Sequence, residues 1–104
     1  MTMQEIQYIG TKDLSPEEQE TIQNISEEQW HKIQRIHKSV LGMTVHVKTA
    51  EKTGAKKRYD IHLRLSVLGK EHIESCAASD YDLRTALHKS YEDITHQVEH
   101  KLRT

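Results

Sequence analysis

The sequence predicts an α+β fold, a two-layer sandwich of order β-α-β-β-β-α in which two helices lie on the apolar face of a four-stranded sheet. Three observations carry this. Residues 43–47 and 59–67 alternate apolar and polar side chains, the period of two expected of strands with one buried face. Leu83, Leu87, Tyr91, Ile94, Val98 and Leu102 recur at steps of four and three, which sets them on one side of a long helix. Ser15-Pro-Glu-Glu18 combines an N-cap hydroxyl, a proline at the first helical position and a glutamate three residues after the cap, so another helix begins there.

In chain order, Glu5 to Ile9 reads as a short strand ended by Gly10. Helix 1 follows from Ser15, with Ile22, Ile25, Gln29, Ile33 and Ile36 at helical spacing to about Lys38 and Trp30 beside the stripe at the core margin. Met43, Val45 and Val47 form the inner face of strand 2, and Glu51 to Lys57, with Gly54, reads as an exposed hairpin connection. Tyr59, Ile61, Leu63, Leu65 and Val67 define strand 3. Gly69-Lys70 supplies a turn into a fourth strand over 71–79, with Ile73, Ser75 and Ala77 inward. Asp80 and Asp82 favour the start of helix 2, and Lys101 and Arg103 its end, by the sign of the helix dipole. A right-handed crossover makes strands 1 and 2 parallel neighbours, and strands 2 to 4 continue as a meander. Both helices then cover one side, leaving Thr44, His46, Lys48, His62 and Arg64 on the open side.

At 104 residues the chain predicts one domain, 1–104. Hydrophobic residues are 35% with no Phe and one Trp, so the core is thin and built from Ile, Leu, Val, Ala and Tyr. The lone Cys76 forms no internal disulfide, and its strand position predicts a buried small side chain rather than a nucleophile. No apolar run approaches the ~20 residues of a membrane span and the N-terminus lacks a signal core, which predicts a cytoplasmic location with no membrane partner. Charge is segregated. Residues 1–30 hold one lysine against seven carboxylates, a net of −6, whereas residues 31–104 hold 14 bases and 9 acids, a net of +5. All 8 histidines lie in the second part, whose positive charge grows as pH falls through ~6.5. The asymmetry fits a polyanion-facing surface, and also an ordinary solvated one.

Phosphate neutralisation requires clustered Lys and Arg on a rigid face. The predicted nucleic-acid-binding residues are Lys32, Arg35 and Lys38 late in helix 1, Arg84, Lys89, His96 and Lys101 with Arg103 on helix 2, and Lys48 and Arg64 on the open sheet face. Spacing sets Lys32 and Arg35 on one side of helix 1, where helix 2 could extend them into a shared basic ridge. His88, Glu92, His96 and His100 recur every four residues. His96 and His100 could chelate zinc or nickel from one helix face, although a solvated or RNA-facing stripe fits them better. No cofactor, catalytic constellation or small-molecule substrate is indicated, and the chain is read as non-enzymatic.

Gly10 with Leu14-Ser-Pro16, and Asp82, Ala86-Leu87, Ile94, Gln97-Val98 and Lys101, resemble the strand-end glycine, helix start and final-helix pattern of the hibernation-promoting factor and ribosome-associated inhibitor (protein Y) family. That family shares the β-α-β-β-β-α order. The resemblance implies a stress-response translation modulator that binds the small ribosomal subunit and its rRNA in the channel used by mRNA and tRNA, blocking both. It also implies a short form without the dimerisation domain of long members. Asp93 and Glu99 depart from the family's basic final helix, and His88 and His96 stand where an Asp and a base are common. Two rival readings are a protein-interaction module that kept the fold without RNA binding, and a histidine-based metal-binding protein.

Overall fold

The period-two stretches form the centre of the sheet. The computed structural model describes residues 6–12, 14–51, 57–69, 72–75 and 78–102. They form β1 (Ile6–Ile9), α1 (Pro16–Ile36), β2 (Val40–Glu51), β3 (Lys57–Val67), β4 (Ile73–Glu74), β5 (Ala78–Asp80) and α2 (Leu83–Leu102). β1 pairs parallel to β2, with Ile6 opposite Met43 and Tyr8 opposite Val45. β2 and β3 are antiparallel, Val45 opposite Leu63 and His46 opposite His62, and β4 and β5 both pair antiparallel with β3. Alternation then sorts the side chains. Met43, Val45, Val47, Ile61, Leu63 and Leu65 are buried beneath the helices, while Thr44, His46, Lys48, His62 and Arg64 occupy the other, uncovered face.

The fourth strand, predicted as one run over 71–79, is interrupted. From Ile73 to Ala78 the chain advances five residues while its partners Leu65 to Ile61 advance four, so the segment carries one extra residue, the arithmetic of a bulge. Ser75 bridges the break: its backbone N–H donates to the Leu63 carbonyl at 2.9 Å, and its hydroxyl accepts from the Leu63 N–H at 2.9 Å. Ser75 is buried as predicted, and Ala78 takes the place opposite Ile61 on the covered face. Ala77 and Cys76, like Glu5, Arg103 and the 52–56 connection, lie outside the described residues.

α1 begins with the capping box. The Glu18 N–H donates to the Ser15 hydroxyl and the Ser15 N–H to the Glu18 carboxylate, with Pro16 in the first turn. Two expectations for this helix are corrected. Trp30, predicted at the core margin, is buried at 4% exposure, and Ile36, predicted in the apolar stripe, stands 70% exposed at a helix end that comes before Lys38. The buried line of α1 is Ile22, Ser26, Trp30 and Ile33, rotated from the predicted stripe so that Trp30 is covered, and on this face Ser26 accepts a 2.6 Å hydrogen bond from the buried Tyr91 hydroxyl of α2. In α2, Leu83, Leu87, Tyr91, Ile94 and Val98 are all buried as predicted. Asp82 caps its start, accepting from the Thr85 N–H at 2.9 Å and hydroxyl at 2.7 Å.

Gly10 closes β1 with φ +83°, and a Cβ there would stand 2.1 Å from the Val47 carbonyl oxygen. Only glycine fits, because the backbone is left-handed and β2 passes directly beneath it.

Candidate nucleic-acid interface

The two helices run parallel. Ser26 of α1 meets Tyr91 of α2, and further on Ile33, Ile36 and His37 face Val98 and Glu99 across a shared groove. Topology requires this, since α1 returns from β1 and α2 from β5, strands that point the same way. Both helix starts therefore lie at one end of the molecule and both helix ends at the other, and charge follows them.

At the first end the groups are acidic and tied down. Glu18 accepts from the Tyr59 hydroxyl and from Lys57, whose Nζ lies 3.1 Å from Glu18 Oε2. Burial works against the Glu18 carboxylate, but the hydrogen bonds from Tyr59, the Ser15 backbone and Lys57 outweigh it and bring its pKa down to about 2. Burial and the same Glu18 contact push the Tyr59 phenol up to about 12. Asp80 accepts from the Asp82 N–H and from Lys89 Nζ, both at 2.9 Å, and these two contacts lower its pKa. Lys89 and the exposed Arg84 thus belong to the start of α2, where Lys89 serves as the partner of Asp80.

Toward the other end basic groups gather along α1, while Glu99 lines the groove between the helices. His31, Gln34, Arg35 and Lys38 line an open recess of about 380 Å³ with no carboxylate in its wall. His31, Gln34 and Arg35 share one face of α1 and Lys38 follows just past its end; continuing the helical spacing through Lys38 in the sequence would have added His31 and Gln34 to Arg35 and Lys38. Lys32, expected beside Arg35, lines the interhelical groove instead. Three residues turn a helix by about 300°, which leaves the two side chains roughly 60° apart, on either side of the crest. Lys32 also lies 3.8 Å from Glu28, an exposed pair that neutralises it weakly. Lys101, exposed in the last turn of α2, shares this end.

The remaining predicted residues sit elsewhere. Lys48 and Arg64 project from the uncovered sheet face, the side away from the helices, so no common ridge joins them to α1. Acids are interleaved with them: Asp60 is paired opposite Lys48, and Glu74 lies 3.6 Å from Arg64 and 3.2 Å from His62. His96 lies midway along the helices, where it lines an open polar groove of about 370 Å³ with His88, Glu92, Glu99 and Gln29. His100 does not line that groove. Among the described residues no three His, Cys, Asp or Glu side chains come together as a metal shell, and no helix is long and apolar enough to cross a membrane.

The fold so defined is a sheet covered on one face by two parallel helices, with a cationic recess at their common end. Among solved structures it is similar to a ribosomal subunit interface protein from Coxiella burnetii, at 16% identity and a TM-score of 0.66, over 94% of this chain and 98% of that one. No protein-family model matches the chain, and no curated protein sequence does.

Proposed function

We propose that this chain is a non-enzymatic, ribosome-associated translation modulator that docks its helix-end cations onto rRNA phosphates of the small subunit. By occupying the channel there it blocks mRNA and tRNA, as a stress or hibernation factor does. The observation that carries the reading is the recess of His31, Arg35 and Lys38, with Lys101 at the same end, in a fold similar along its whole length to a ribosomal subunit interface protein. The mechanism is electrostatic docking of a preformed surface, with shape supplying selectivity. Sedimentation with purified small and large ribosomal subunits tests it. The expected outcome is co-migration with the small subunit that weakens steeply as salt rises; absence of co-migration at low salt overturns the reading.

A second reading, a protein-interaction module, draws on Ile36, Leu41 and Leu68, which stand 70%, 53% and 67% exposed near the ends of α1 and β3 and at the irregularity opening β2. Under that reading the chain ignores ribosomes at every salt concentration.

A further inference from the structure

The uncovered face of the sheet carries side chains with a chemistry of their own. His46 of β2 and His62 of β3 are directly opposite in the antiparallel register, so their Cβ atoms stand about 5 Å apart on the same face. His62 Nε2 lies 3.2 Å from Glu74 Oε1 of β4. Two donors bonded at ~2.0–2.1 Å to one zinc ion are roughly 3.3 Å apart at a tetrahedral angle, so this spacing is also the edge of a coordination shell. β2, β3 and β4 are successive neighbours in the sheet, which fixes the three backbone positions. The partly exposed His46 ring rests beside Gly10, its Cδ2 3.8 Å from where a Gly10 Cβ would stand. A change of χ1 turns it toward His62, and exposed rings change rotamer within nanoseconds.

We propose that His46, His62 and Glu74 form a binding site for a divalent zinc-class metal ion, with His62 and Glu74 in place and the His46 ring turning in as the ion binds. Two imidazoles and one carboxylate are a donor set that suits zinc, and water completes the shell. The three donors meet only after that turn, in keeping with the absence of a three-donor cluster among the described residues. Arg64 Nη2, 3.6 Å from the same Glu74 oxygen, is the competitor that the ion displaces. The histidine stripe of α2 offers less, because His88 and His96 are eight residues and about 12 Å apart along the helix axis, too far to share one ion. The site is independent of ribosome binding, since it lies on the sheet face away from the helix-end cations.

The test is isothermal titration of the full chain with ZnCl2, with MgCl2 as the control that prefers an all-oxygen shell, read beside the histidine ring signals in NMR spectra. Zn2+ should bind and shift the His46 and His62 rings, and Mg2+ should shift neither. His46→Asn, His62→Asn and Glu74→Gln should each weaken Zn2+ binding about tenfold or more, and Arg64→Gln should tighten it, a gain that a merely structural ion pair does not produce. The double change His96→Asn, His100→Asn should leave the affinity as it is. All the altered side chains are on the surface, and circular-dichroism melts without metal confirm that each variant is folded. Unchanged Zn2+ affinity in His46→Asn and His62→Asn overturns the proposal, as does a zinc shift confined to His96 and His100. Loss of co-sedimentation with ribosomal subunits leaves this result untouched, so the two readings fail separately.

Discussion

Gly10 and Glu18 each join segments far apart in the chain. Replacing Gly10 by Ala must push a methyl group against the Val47 carbonyl oxygen and hold it at positive φ. Gly10→Ala should therefore lower stability by about 1–3 kcal/mol or more, read by urea denaturation, whereas Gly69→Ala meets only the φ cost because nothing lies within 4 Å of its Cβ. Glu18 ionises more readily when folded, its pKa falling from 4.5 to about 2. A lowered carboxylate contributes stability that is present above the unfolded value and is lost as pH falls through the folded one. The wild type should lose that share between about pH 4.5 and 2, and Glu18→Gln should flatten this part of the acid-denaturation profile while costing about 1 kcal/mol at pH 7. The capping role of Glu18 was legible in four consecutive residues. Its bonds to Lys57 and Tyr59 were not, because they span 39 and 41 positions and depend on where β3 ends up.

For the elements, periodicity identified every helix and the long strands, and failed where a tertiary contact rotated or broke the pattern. α1 shows the first kind of failure. An isoleucine every third or fourth position is compatible with several faces, and the face adopted buries Trp30, gives the Tyr91 hydroxyl an acceptor in Ser26 and leaves Ile36 outside. Ile33→Ala should then cost about 2–5 kcal/mol in thermal or urea unfolding, and Ile36→Ala no more than about 0.5 kcal/mol. The interrupted last strand shows the second kind. Its register moves by one residue between Ile73 and Ala78, and the Ser75 hydroxyl that accepts from the Leu63 N–H is a cross-strand contact that no alternation pattern announces.

For the whole molecule, the sequence showed that charge is divided but not along which direction. Parallel helices supply it. Arg35 of α1 and Lys101 of α2 lie in the last turns, where they also oppose the negative poles of two adjacent helix dipoles, whereas Arg84 and Lys89 stay near the start of α2. Lys48 and Arg64, equally basic in sequence, fall on the far face among Asp60 and Glu74 because strand alternation alone decides their side. Ribosome binding should divide accordingly. The double change Arg35→Glu, Lys38→Glu should weaken co-sedimentation and reduce the slope of log affinity against log salt by roughly 2, while Lys48→Glu, Arg64→Glu leaves both unchanged.

The principal extents are 48 × 32 × 19 Å, so the body is a narrow plate. With Glu18, Asp80 and Asp82 toward the helix starts and Arg35, Lys38 and Lys101 toward the helix ends, a large anion would turn such a plate with its helix ends forward.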